Sequence, residues 1–252
     1  EAQSELTSSL GAARGFTSKQ LTDQILLTKQ IGLQANTAGQ LQGLAMASGE
    51  SSEESLDSII SATQALKMQT GIQLDQKGVI DEVAKTDGQV AANYKNNPGL
   101  IAKAVMQTRK LGITLAQAAK MSSSLLDFET SIGTEMEAEL LLGRDLNFDK
   151  ARALALSGDA AGAAAEIRKQ TGSSAQFGKL NVIQQEALAK AAGMTADELA
   201  NSLRQEEQLN KLGANTKKQI QDRVKELKAQ GLTEQANRLL SQTANAEDAK
   251  AG

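Results

Sequence analysis

The feature that most constrains this chain is the punctuation of its helices. Five stretches place a capping side chain three residues before Glu or Gln: Thr17 to Gln20, Ser51 to Glu54, Thr114 to Gln117, Asn181 to Gln184 and Thr195 to Glu198. The first oxygen can accept from a free backbone N–H of the opening turn, and the later side chain can reach back to the cap. Pro98 follows Asn97 and suits a first helical position. Gly32, Gly49, Gly71, Gly112, Gly143, Gly158, Gly172, Gly193, Gly213 and Gly231 close periodic runs, where a left-handed residue ends a helix. No segment alternates apolar and polar residues between Asn-Gly or Asp-Gly turns, so no sheet is assigned.

These signals predict helices over 18–31, 52–70, 75–86, 98–111, 114–142, 148–157, 159–171, 181–192, 195–212 and 216–230, with a last one near 233–245. Four segments follow: an N-terminal helical segment 1–50, a short-helix region 51–113, a central bundle segment 114–212 and a coiled-coil-like segment 213–252. The expected class is all-α, with several amphipathic helices joined at Gly-terminated turns, partly coiled-coil-like and self-associating.

The helix over 114–142 carries Met121, Leu125, Phe128, Ile132, Met136 and Leu140 at spacings of 3 or 4, one apolar stripe that would drift slowly round a rod about 43 Å long. Such a stripe buries little by itself and needs neighbours from the same chain or from other copies. Ile220, Val224 and Leu227 form a second, shorter seam among charged residues. These nine residues are the candidate interaction set. Residues 33–49 read as a Gly-weakened helix, although Gly39 and Gly43 would also allow close helix approach. The Ala-rich stretch 158–167 reads either as a bundle helix or as a close-packed contact between copies.

Catalytic chemistry has little to work with. The 252 residues include no Cys, no His and no Trp, which removes thiolate chemistry and the commonest general base and metal ligand. The net charge of −3 gives no broad pull toward nucleic acid or anionic lipid. Asp145, Asn147 and Asp149 have the alternate spacing of a calcium loop, but Lys150 stands where that loop needs Gly and Leu156 where it needs Glu. Asn147 is therefore expected to cap the next helix, with Asp149 in its first turn. Glu135 and Glu139 could serve as an acid and base pair, but their spacing places them on a solvated helix face. No phosphate-binding glycine motif occurs. The six Met residues read as core filler. No catalytic, cofactor-binding or metal site is assigned, and no run is long enough to span a membrane. The chain begins at Glu1 without a leader and ends in helical composition, so it is expected to be a piece of a longer polypeptide.

Residues 127–152 (DFETSIGTEMEAELLLGRDLNFDKAR), 167–172 (IRKQTG) and 181–200 (NVIQQEALAKAAGMTADELA) together resemble internal regions of tail tape measure proteins of tailed bacteriophages. The resemblance is clearest over 115–212 and lies in the order of a long helix, ELL-G-LN, an Ala/Gly helix, a QQEALAKA helix and then a capped helix. It implies a long helical protein that fills the tail tube, sets tail length and leaves at infection. Implied partners are further copies of itself, the tail tube and the tail-tip or baseplate proteins; the implied location is the lumen of the virion tail, after assembly in the host cytoplasm. Two alternatives remain from the residues alone: a flagellin- or needle-like helical assembly subunit, and a cell-wall glycosidase using Glu135 or Glu139.

Overall fold

Residues 27–28, 32–230 and 232–235 are described by the computed structural model. They are all-α, with no strand among the described residues. In chain order the helices are α1 (Ala35–Ser48), α2 (Ser52–Thr70), α3 (Gln76–Ala84), α4 (Gly88–Asn93), α5 (Pro98–Lys110), α6 (Leu115–Leu126), α7 (Phe128–Leu142), α8 (Asp149–Leu156), α9 (Ala160–Thr171), α10 (Ser174–Phe177), α11 (Val182–Ala191) and α12 (Ala196–Ala229). The expected helices near 18–31 and 233–245 lie largely outside the described residues.

Local chemistry sets most of the boundaries. Complete capping boxes open α2 at Ser51, α6 at Thr114, α11 at Asn181 and α12 at Thr195, and another opens the unforeseen α10 at Ser173. In the α12 box the Thr195 N–H donates to the Glu198 carboxylate and holds its pKa below the ordinary value. Gly32, Gly49, Gly71, Gly112, Gly143, Gly158, Gly172 and Gly193 all take positive φ, a region where a Cβ would be strained. The region 33–49 is a formed helix, α1, with Leu41 and Ala38 fully buried.

One apolar core runs from Leu27 to Leu203. Helices α5 and α6 lie at its centre. Helix α5 packs on α2, α3 and α9, and α6 packs on α8 and α9. The Ala-rich α9 belongs to this interior: Ala161, Ala163 and Ala164 are buried, and their small side chains let three neighbours close in. The buried side of the small-residue stretch 158–167 thus packs within the chain, while Gly162 and Ala165 stay half-buried. Val224 and Leu227 form a separate small cluster, with Ile220 half-buried on the same helix.

Two predicted boundaries are corrected. The rod over 114–142 is two helices, because Asp127 leaves the helical region at ψ 82° and serves as both the end of α6 and the N-cap of α7. Its carboxylate accepts from the Thr130 N–H at 3.4 Å. Conversely, 195–212 and 216–230 are one helix of 34 residues, α12, which passes through Gly213 without stopping. The glycine is there for a different reason. Helix α12 crosses the turn after α2 backbone to backbone: a Cβ on Gly213 would lie 2.6 Å from the Thr70 carbonyl oxygen and 2.9 Å from Ile72 Cγ1. The turn after α5 approaches the same helix, where a Cβ on Gly112 would stand 2.9 Å from Gln205 Cβ. Gly213→Ala is therefore expected to destabilise the chain by about 1–2 kcal/mol in urea unfolding, even though Ala is the better helix former by about 1 kcal/mol. A stabilised variant would contradict this close crossing.

Candidate interaction surface

Helix α7 is built inside out. Its inward face carries Ser131, Thr134, Glu135 and Ala138, small or polar residues that are all buried. Its outward face carries Phe128, Ile132, Met136 and Leu140, which are exposed at 44, 46, 63 and 84%. An ordinary surface helix has the opposite arrangement.

The inward face explains how this is tolerated. Glu135 is only 8% exposed, so the expectation of a solvated carboxylate is corrected. Its Oε1 accepts from the Phe148 backbone N–H at 2.9 Å, and its Oε2 is paired with Arg152, which is itself buried on α8. Arg152 further donates from Nε and Nη2 to Ser131 Oγ at 3.3 and 3.1 Å, and from Nη1 to Asp149 at 3.1 Å. Glu139 accepts from the Leu146 N–H at 2.8 Å. The two carboxylates of α7 thus bind the turn between α7 and α8 and hold Phe148 fully buried. Burial of these charges is compensated by pairing and hydrogen bonding. Asn147 does not cap α8; Phe148 holds that position without a side-chain bond, while Asn147 Oδ1 accepts from the Asp149 N–H at 3.0 Å.

The same device recurs on α3. Glu82 accepts from the Leu115 N–H at 2.7 Å and pairs with Arg109 at 2.6 Å, and Arg109 also donates to the Gly78 carbonyl at 2.8 Å. A third arginine, Arg168 on α9, pairs with Glu206 on α12 and donates to the Gly172 carbonyl at 2.6 Å. Each arginine ties a helix to another helix or to a turn.

The nine candidate interaction residues therefore separate into groups. Met121 and Leu125 are buried in α6 and belong to the core, so the single stripe through 121–140 is corrected: it is cut at Asp127. Phe128, Ile132, Met136 and Leu140 share one exposed face of α7. Val224 and Leu227 are buried and Ile220 half-buried, on a helix some 90 residues further along the chain. Of the six Met residues, Met106 and Met121 are core, whereas Met46 and Met136 are exposed. Sequence reasoning missed the Arg152 partnership and the exposed Gly133. That glycine lies on the outer face beside Met136, and a Cβ there would meet nothing within 4 Å.

Helix α11 supports α7 from the side. Gln184 Nε2 donates to the Leu141 carbonyl at 2.9 Å, and Lys190 stands 3.5 Å from Glu137. Val182 and Ile183, both exposed, open α11 at the Leu141 end of α7. Among the described residues no group of three or more acidic side chains is placed to hold a metal ion, and no helix is long and apolar enough to cross a membrane. No family model, curated protein or solved structure matches this chain.

Proposed function

We propose that this chain is a structural segment of a phage tail tape measure protein, a helical filler of the tail tube that works by meeting other helices and not by turnover. The observation that supports the reading best is the inverted α7. Its inner face is fastened by Glu135 and Arg152, which leaves a rigid outer ridge of Phe128, Ile132, Met136 and Leu140 facing water. An exposed apolar patch of several hundred Å² is characteristic of an interaction surface. The two carboxylates that could have served a glycosidase, Glu135 and Glu139, are engaged with backbone N–H groups of the α7–α8 turn.

The test is an in-frame deletion of residues 115–212 from the encoding gene, followed by electron microscopy of the particles. The 98 deleted residues would span roughly 150 Å as a single helix, so tails are expected to shorten uniformly by no more than that, or to fail to assemble. Tails of unchanged length and number would overturn the reading.

A further inference from the structure

We propose that the outer face of α7 is the seat of a second copy of this chain, packed antiparallel, α7 on α7, with Met136 of each copy over Gly133 of the other. This rests on the reading of α7 as an interface and names its occupant. The first argument is the shape of the face. Met136 projects, exposed at 63%, next to Gly133, which has no side chain and, among the described residues, no neighbour that requires its absence. A glycine within a helix costs about 1 kcal/mol relative to Ala, and nothing among the described residues compensates it. A projection beside a notch is self-complementary across a two-fold axis, as an isologous contact requires.

The second argument is charge. Glu129 and Glu137 flank the ridge and are exposed. A parallel, in-register pairing would set each of these against its own copy, like charge on like charge. The antiparallel register that places 133 against 136 sets 129 against 140 and 132 against 137, so no carboxylate faces another. Glu137 is further balanced by Lys190 at 3.5 Å.

The third argument is area. Phe128, Ile132, Met136 and Leu140 expose on the order of 450 Å² of largely apolar surface. Two copies would bury at most about 900 Å², just under the ~1,000 Å² of a firmly specific interface. The expected dimer is therefore weak, with Kd of about 1–100 µM.

Sedimentation velocity across ~0.5–500 µM tests this. The wild type is expected to pass reversibly from monomer to dimer, and Met136→Glu is expected to weaken dimerisation at least ~100-fold while its far-ultraviolet circular dichroism is unchanged, since that side chain is already in water. Gly133→Ala separates an interface role from a structural one. It is expected to raise the unfolding midpoint of the dilute monomer and yet to weaken the dimer. Because the chain has no native Cys, orientation follows from mixing Glu129→Cys with Leu140→Cys chains under mild oxidation: the mixed disulfide should exceed both homodimers. A monomer at every concentration, a trimer or filament, a dimer indifferent to Met136→Glu, or a 129–129 disulfide in excess would each overturn the proposal. Those outcomes leave the tail-length experiment free to succeed or fail by itself.

Discussion

Arg152→Ala is expected to cost about 3–5 kcal/mol, among the largest effects of any single substitution in this chain. The magnitude follows from what remains. Arg152 is buried and is the only cation within salt-bridge distance of Glu135 among the described residues, and the Glu135 carboxylate is buried on the inner face of α7. Removing the guanidinium leaves that carboxylate in a poorly solvated site with, among the described residues, only the Phe148 N–H as partner, and leaves Ser131 Oγ without the two Arg152 donors. Small and mid-sized domains have total stabilities of about 5–15 kcal/mol, so the variant is expected to unfold at a markedly lower urea concentration or to be partly unfolded without urea. Replacing both partners by apolar side chains of similar volume, Glu135→Leu with Arg152→Met, should recover most of the loss, because no unpaired charge then remains buried. The recovery will be incomplete, since the Phe148 N–H loses its acceptor. A double variant whose loss, measured by urea unfolding, equals the sum of the losses of its two single variants would show that the pair is not coupled.

Phe148→Ala is expected to cost a similar 3–5 kcal/mol, for a different reason. Phe148 is fully buried in the apolar core and is one of only four Phe in the chain, so its ring is among the largest side chains that the core holds. Its ring enters the core directly after a turn whose backbone N–H groups are taken by Glu135 and Glu139. Truncation leaves a cavity that these bonds prevent from collapsing, which places the cost near the upper part of the usual range. Phe148→Leu, which retains most of the volume, should lose less than half as much. Tracking hydrogen exchange of α8 amides locates the effect: α8 should open first, and uniform loss of protection through α2 and α5 would contradict a local role.

The helix ends were legible because the signals are local. A Ser, Thr or Asn cap with its Glu or Gln acts within one turn, and a glycine at positive φ acts on its own backbone. The all-α class followed from these signals. The departures arose where one residue type serves two purposes. Gly213 carries the same letter as the glycines that end helices, but its role is set by the turn of residues 70–72, far away in sequence. Asp127 interrupts an apolar spacing that continues on both sides of it, so periodicity alone predicted a single rod; yet the two halves face opposite environments, Met121 toward the core and Met136 toward water. Glu135 and Glu139 have the spacing of a solvated helix face, and only the folded chain brings Arg152, 17 residues later, against the first of them. The ridge residues Phe128, Ile132, Met136 and Leu140 could be named from spacing, but their exposure could not, because a stripe does not reveal which side of a helix the rest of the chain covers.

The central claim is that the outer ridge of α7 exists to be covered by another helix. Methionine oxidation by dilute hydrogen peroxide, quantified peptide by peptide, tests it most directly, because the chain contains its own controls. Met136 and Met46 are both more than half exposed, whereas Met106 and Met121 are buried. At submicromolar concentration Met136 and Met46 should oxidise quickly and the two buried residues slowly. As concentration rises through the micromolar range, Met136 should become protected severalfold while Met46 continues to react at its original rate. Equal rates for Met136 and Met46 at every concentration would contradict the account.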